Sequence, residues 1–262
     1  MAWAAWVAWA AWTSKVRACT GSCRPWSARF PAALKNPAAR RGFSLPGCRH
    51  GSASLRSVPM PTSFIVVDDF LSPADAQGLR QAALGLTYPA QEGAFPGRNS
   101  LERLELDGLS GAASRLVNEP LRPVNPLQSH GKFRLTLAGD VGRAKVHTDH
   151  SHWSGILYLS APEHCAGGTE FFRHRRTNTE RMALDASELA ALGYANGGDM
   201  HRDIIERDSS DDSQWEMTMR IPMRFNRLVL LRPWFWHTAG PAFGDRPDNG
   251  RLVYLMFFEQ AR

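Results

Sequence analysis

The chain has 262 residues, enough for one sizeable core and too few for two large domains. Its formal net charge is +6, but nine of its 31 Lys and Arg precede Asp68, the first acidic residue, so the remainder sets 22 basic residues against all 25 acidic ones. The body is therefore slightly acidic and carries no basic stripe interleaved with aromatics, which excludes it from the usual class of nucleic-acid binders.

The N-terminal segment reads differently from everything after it. Trp3, Trp6, Trp9 and Trp12 recur every three residues in an alanine background, a low-complexity run shorter than the ~20 apolar residues a membrane-spanning helix needs. No membrane partner is expected. Lys15, Arg17, Arg24, Arg29, Lys35, Arg40, Arg41, Arg49 and Arg56 follow among Ser, Pro and Gly, a composition that resembles an organelle transit peptide. Met60-Pro61-Thr62 stands directly before the first periodic segment, so the preferred reading is an upstream extension of a chain starting at Met60. Either way residues 1–59 are expected to be a disordered leader and 60–262 one domain. Cys19, Cys23 and Cys48 lie in the leader and Cys165 is alone in the body. A disulfide framework is thereby excluded and a reducing compartment expected. The expected location is cytoplasmic, or an organelle if the leader is a genuine targeting segment.

The elements then follow in order. Residues 63–70 read as an apolar strand. Ser72 offers a helix N-cap, Pro73 suits the first helical position, and Gly85 is a stop after Leu84. A second helix is expected at 109–116, closed by Glu119-Pro120, and the Pro120, Pro123 and Pro126 spacing predicts an extended connector. In 132–138, Phe133, Leu135 and Leu137 alternate onto one face of a strand. Further strands are expected at 153–159, 169–172, 225–231, 234–238 and 251–259. Many short strands without strand–helix–strand spacing predict an antiparallel sandwich or barrel. Residues 173–220 form a long insertion with one helix near 186–192 and a polar run through Asp208, Asp211 and Asp212. Loops of this length are either functional, here a lid over a site, or surface excursions.

His147-Thr148-Asp149, followed far downstream by His237 and then Arg251, carries the chemistry. Residues i and i+2 of a strand share a face, so His147 and Asp149 can grip one ion. Two imidazoles and one carboxylate on one side of a metal leave the other side open, the ligand set of non-haem Fe(II) that must bind a cosubstrate and oxygen together. Arg246 lies nine residues after His237 and Arg251 fourteen after it. Arg251 opens an apolar strand that can aim a side chain, whereas Arg246 sits in turn sequence between Asp245 and Pro247, so Arg251 is preferred as an anion anchor.

The flanking residues sharpen this. Trp153-Ser154-Gly155-Ile156-Leu157-Tyr158-Leu159 and Gly167-Gly168-Thr169-Glu170-Phe171-Phe172 follow the His-Thr-Asp triplet. Asn226-Arg227-Leu228-Val229-Leu230-Leu231 precedes His237, and Gly250-Arg251-Leu252-Val253-Tyr254-Leu255-Met256-Phe257-Phe258 follows it. In content and order these resemble the Fe(II)/2-oxoglutarate-dependent oxygenases, especially the prolyl-hydroxylase-like branch, over residues 62–260. The resemblance implies a mainly β protein with flanking helices and a double-stranded β-helix (jelly-roll or cupin-like) core. It implies His147, Asp149 and His237 as iron ligands and catalytic centre, and Arg251 on the distal carboxylate of 2-oxoglutarate. Thr169 would add a hydroxyl to that carboxylate. The cofactors implied are Fe(II) and the cosubstrate 2-oxoglutarate, which a dioxygenase decarboxylates to succinate and CO2 as molecular oxygen is used to hydroxylate a substrate. A small-molecule and a peptidyl substrate are both compatible, and the oligomeric state is not legible.

The remaining candidates have plainer expectations. His150 and His152 would point to the opposite strand face and are not expected to bind metal. His130, His164, His174 and His201 are expected at the surface, Trp153, Trp234 and Trp236 in core or rim packing, and Arg134 and Tyr158 near the pocket. The competing function is a non-catalytic double-stranded β-helix that binds a ligand or partner and retains the ligand residues as a relic. A metal hydrolase is disfavoured because it would not need Arg251 or Thr169 and no Glu is placed as a general base beside a His.

Overall fold

The structure is a computed structural model describing residues 62–90 and 93–261. The leader expected at 1–59 lies outside the described residues. β1 (Phe64–Val67) leads into α1 (Pro73–Leu84), which starts where expected because the Ser72 hydroxyl accepts the Asp75 amide at 3.1 Å. Ala76, Leu79 and Ala83 form its buried stripe. After β2 (Arg98–Asn99) comes α2 (Leu109–Val117), which ends because Asn118 turns left-handed at φ 57°, one position before the expected Glu119-Pro120 stop. The proline-spaced connector is partly a strand: β3 (Leu121–Pro123) pairs with the last strand of the chain. The three-residue Pro spacing hid a short edge pairing in which Arg122 faces solvent and Leu121 the core.

The remaining strands are β4 (Phe133–Thr136), β5 (Trp153–Tyr158), β6 (Gly168–His174), β7 (Trp215–Pro222), β8 (Leu228–Leu231), β9 (His237–Thr238) and β10 (Arg251–Gln260). They make two antiparallel sheets. The larger runs β1-β8-β5-β10-β4-β2 with β3 on the far end of β10, and the smaller runs β7-β6-β9. Along the chain the strands switch between sheets, from β4 to a rung at His147, back to β5, across to β6 and β7, back to β8, across to β9 and back to β10. This is the wound, two-sheet path of a double-stranded β-helix.

Three apolar clusters place the layers. Trp153, Leu157, Leu230, Leu252 and Phe258 face away from the small sheet and receive α1 and α2 through Leu79, Ala83 and Leu109. Tyr158, Phe171, Ile221, Val229 and Val253 fill the space between the two sheets. Val146, Met200, Ile204, Trp215 and Trp236 pack the insertion onto the outside of the small sheet.

The insertion departs from expectation in two ways. It contains β7, which pairs with β6 along its whole length. As an edge strand, β7 shows solvent Glu216, Met217, Thr218 and Arg220 and buries only Trp215 and Ile221, so its sequence lacks a continuous apolar signal. Besides α3 (Ala186–Ala191) it also carries α4 (Gly197–His201), which continues into a π-helical turn at Arg202–Glu206. Two histidines expected at the surface are buried. His174 is fully enclosed beneath Trp215 and bonds Asp208 at 3.0 Å. His130 packs on Phe258 with its Nδ1 2.8 Å from the Phe257 carbonyl. Both partners are remote in sequence, so no local pattern announces the burial.

Candidate metal centre

His147 and His237 lie on one rung of backbone. Each donates its amide to the other's carbonyl, at 2.9 and 3.1 Å, which sets the two rings side by side with centroids 4.4 Å apart. The His147 segment is not a regular strand: its pairing is an isolated bridge to β9. Two residues on, the Asp149 amide is tied to the Pro233 carbonyl at 3.1 Å. Nε2 of His147 is 3.8 Å from Oδ1 of Asp149, and Nε2 of His237 is 3.6 Å from Oδ2. The ligating atoms of the three residues all lie within 4.8 Å of one another.

The same carbonyl trick orients both imidazoles. Nδ1 of His147 is 3.0 Å from the Lys145 carbonyl, and Nδ1 of His237 is 2.8 Å from the Phe235 carbonyl. A carbonyl only accepts, so Nδ1 carries a proton and the Nε2 edge of each ring is turned toward Asp149. Ser154 donates its hydroxyl to Oδ2 of Asp149 at 2.5 Å and is itself 2.9 Å from Ser151. Phe95 lies against His147 with ring centroids 4.1 Å apart. Burial pushes His147 down to about 4, and the neighbouring His237 acts in the same direction. Burial alone would raise the Asp149 carboxyl, but His237, then His147 and Ser154, hold it well below the usual carboxylate range. Two imidazoles and one carboxylate thus stand on one side, the chemistry of a facial site for a divalent transition metal.

The inner face of β6 leads from this rung to a second polar feature. Phe171 is registered opposite His237, and Thr169 is two residues back along the same strand. Its hydroxyl is 2.6 Å from that of Tyr158, which also accepts the Thr169 amide at 3.0 Å. Thr169, expected to serve a cosubstrate carboxylate, is thus already engaged by Tyr158. Tyr158 lies within electrostatic reach of Arg251, whose cation burial disfavours. Arg251 is 2% exposed, and its Nε and Nη2 are buried without a hydrogen-bond partner among the described residues. Arg134, on β4 beside it, is committed elsewhere: it donates to the carbonyls of Phe95 and Pro96 and to Oδ1 of Asn99. Arg246 is exposed and paired with Asp248 at 2.9 Å.

A cleft of about 430 Å³ opens beside Asp149, lined by His150 and Trp234 and by His201, Arg202 and Glu206 of the insertion. The insertion is therefore a wall of this cleft. It is anchored to the His147 segment, because the Ser209 hydroxyl accepts the Lys145 amide at 2.9 Å and donates to the Val146 carbonyl at 2.7 Å. Trp153 and Trp236 are fully buried. Arg232 lies 4.1 Å over the Trp153 ring and 5.2 Å from that of Trp234. His152 is turned to Glu119 at 2.6 Å, away from the triad. The insertion was expected either as a lid over the site or as a surface excursion, but Ser154 and the individual residues of the wall were not legible as site residues. Ser154 sits in an apolar strand with no local signal, and the wall depends on helical winding.

A family model described as a family of unknown function, DUF6445, matches residues 52–258. No curated protein matches the chain. Among solved structures, it is similar to HygX from Streptomyces hygroscopicus with nickel, 2-oxoglutarate and hygromycin B bound, at 13% identity and a TM-score of 0.47, covering 77% of this chain and 84% of that one. It is also similar to SnoK, a non-haem α-ketoglutarate-dependent carbocyclase from nogalamycin biosynthesis, at 17% identity and 0.44, covering 77% and 81%. A Pseudomonas putida prolyl-4-hydroxylase matches at 16% identity and 0.38, covering 76% and 93%. These structures belong to the class that the motifs resemble, and at such scores they carry no inference about reaction or substrate.

Proposed function

The chain belongs to the DUF6445 family, and we propose that it is an Fe(II)- and 2-oxoglutarate-dependent dioxygenase that hydroxylates a small-molecule or peptidyl substrate, releasing succinate and CO2. The observation that carries the reading is Arg251: a buried guanidinium with two nitrogens unpartnered among the described residues, on the same interior as a His-Asp-His triad. A buried cation without an anion is costly, and a guanidinium fork suits a carboxylate. Thr169 and Phe171 are two strand residues apart, about 7 Å, which is the scale of a five-carbon dicarboxylate reaching from Arg251 toward the triad.

His147, Asp149 and His237 would hold the ferrous ion, and Arg251 with the Tyr158–Thr169 hydroxyl pair would receive the distal carboxylate of 2-oxoglutarate. When bound, the metal and cosubstrate supply oxygen activation coupled to decarboxylation. The rest falls to the chain. The Lys145 and Phe235 carbonyls hold the imidazole protons at Nδ1, keeping Nε2 a lone-pair donor. Ser154 holds the Asp149 carboxylate by one oxygen. Phe95 packs on the His147 ring and Phe171 lies near that of His237, giving the site an apolar surround. The cleft at Asp149 admits substrate on the insertion side.

The test is anaerobic titration of the Fe(II)-loaded protein with 2-oxoglutarate, following the weak visible charge-transfer band of the chelate. The band is expected in the native protein and lost in Asp149→Ala. Bound iron without a band, or no iron binding, would sink the proposal, the second outcome pointing to a non-catalytic binding protein.

A further inference from the structure

We infer that the substrate cleft selects a compound bearing an ammonium or similar organic cation, with Glu206 and Trp234 as its specificity-determining contacts. This rests on the oxygenase reading above and names the substrate class of the same site.

The argument begins with helical winding. In an α-helix, residues five apart differ by about 140° round the axis and do not share a face. The turn Arg202–Glu206 is π-helical, and with hydrogen bonds closing five residues apart, His201 and Glu206 come onto one side. Their Nδ1 and Oε1 atoms are 3.6 Å apart, and both line the cleft. On the opposite side of the same turn Ile204 and Ile205 are buried with Met200, so the wide turn is pinned to the core and its polar face cannot roll away. Wide turns of this kind recur at functional sites.

Charge then decides the ligand. Arg202 also faces the cleft, but its guanidinium is bonded to Asp199 one turn back. Arg176 and Arg207, the other nearby cations of the insertion, are turned to Asp203 and Asp208. Glu206 meets only the His201 imidazole among the described residues, and its side chain is 61% exposed. With Arg202 and Asp199 paired, the wall carries one carboxylate that has no Lys or Arg partner among the described residues. Trp234 lines the same cleft, while Arg232, 5.2 Å from its ring, is not among the lining residues; an indole ring attracts cations. A carboxylate and an indole lining one cleft favour an organic cation over an anion and over a neutral analogue of the same shape.

Binding is measured by calorimetry on the full chain loaded with Mn(II) and 2-oxoglutarate. The probes are 1,5-diaminopentane, lysine and glucosamine, each against its N-acetylated form, with glutarate as the anionic control. At least one amine is expected to bind roughly tenfold tighter than its acetylated partner. Glu206→Gln should weaken that amine about fivefold and leave the acetylated form and the Fe(II)–2-oxoglutarate band unchanged. Acetylated or anionic probes binding as well as the amines, no amine binding, or indifference to Glu206→Gln would each overturn the inference. A missing band in the native protein would instead remove the oxygenase reading, so the two failures are told apart.

Discussion

The two ends of the interior between the sheets are built on opposite principles. At the triad every side chain is placed by a partner: two carbonyls hold the imidazoles and a serine holds one oxygen of the carboxylate. At Arg251, two buried nitrogens have none among the described residues. A finished geometry beside an unfinished one teaches where stability and where recognition reside. The triad is preorganised, so a metal meets ligands already aimed. The arginine end is left short of an anion, so its deficit becomes binding energy when a carboxylate arrives.

The largest test of this contrast is at the unfinished end. Arg251→Leu should raise the 2-oxoglutarate concentration needed for half-saturation about 100-fold, while Arg246→Leu changes it less than twofold. At 100 times its Kd, 2-oxoglutarate should stabilise the native metal-loaded protein by about 2.7 kcal/mol, a rise of roughly 5–10 °C in Tm, and Arg251→Leu should abolish that rise. Equal behaviour of the two variants would dissolve the contrast. A smaller effect is expected at the finished end. Ser154→Ala should lower metal affinity about tenfold, because a ligating carboxylate loses the group that orients it. An unchanged affinity would mean that the triad is not held as described.

The smallest effect is the response to acid, which should come from the imidazoles and not from Arg251. Burial is the first cause depressing His147, to about 4, and it also depresses His130 and His174. With folded values below the ordinary imidazole value of about 6.5, the unfolded chain takes up more protons in that window. The stability is therefore present above about 6.5 and lost as pH falls through the folded values. The metal-free protein should lose Tm between pH 7 and pH 5, and His174→Gln should flatten the slope. A Tm independent of pH over that range would contradict the burial of these rings.

Much of this was legible before any coordinates, for identifiable reasons. α1 was readable because Ser72, Pro73 and Gly85 punctuate an amphipathic run, β4 because its apolar residues alternate, and β5, β8 and β10 because they are core strands with apolar stretches. The triad and Arg251 were readable as residue types at set spacings, and the structure brings His147, Asp149 and His237 together while enclosing Arg251. What stayed hidden was non-local. β7 is an edge strand whose partner supplies the order its own sequence lacks. The burial of His174 depends on Asp208, 34 residues away. The cleft wall depends on a wide turn that no periodicity announces. Asp149 lies on irregular chain, so the i, i+2 argument reached the right juxtaposition through the wrong element.

The paired amides of His147 and His237 have a kinetic meaning as well. Ninety residues separate the two histidines, and β9 is only two residues long, so their rung closes a large loop with little local help. The ion's grip comes into being only when the far half of the chain has returned to the near half. If the proposed metal binds, its capture during refolding is expected late, and the appearance of bound metal would time the closing of the two sheets rather than the first collapse.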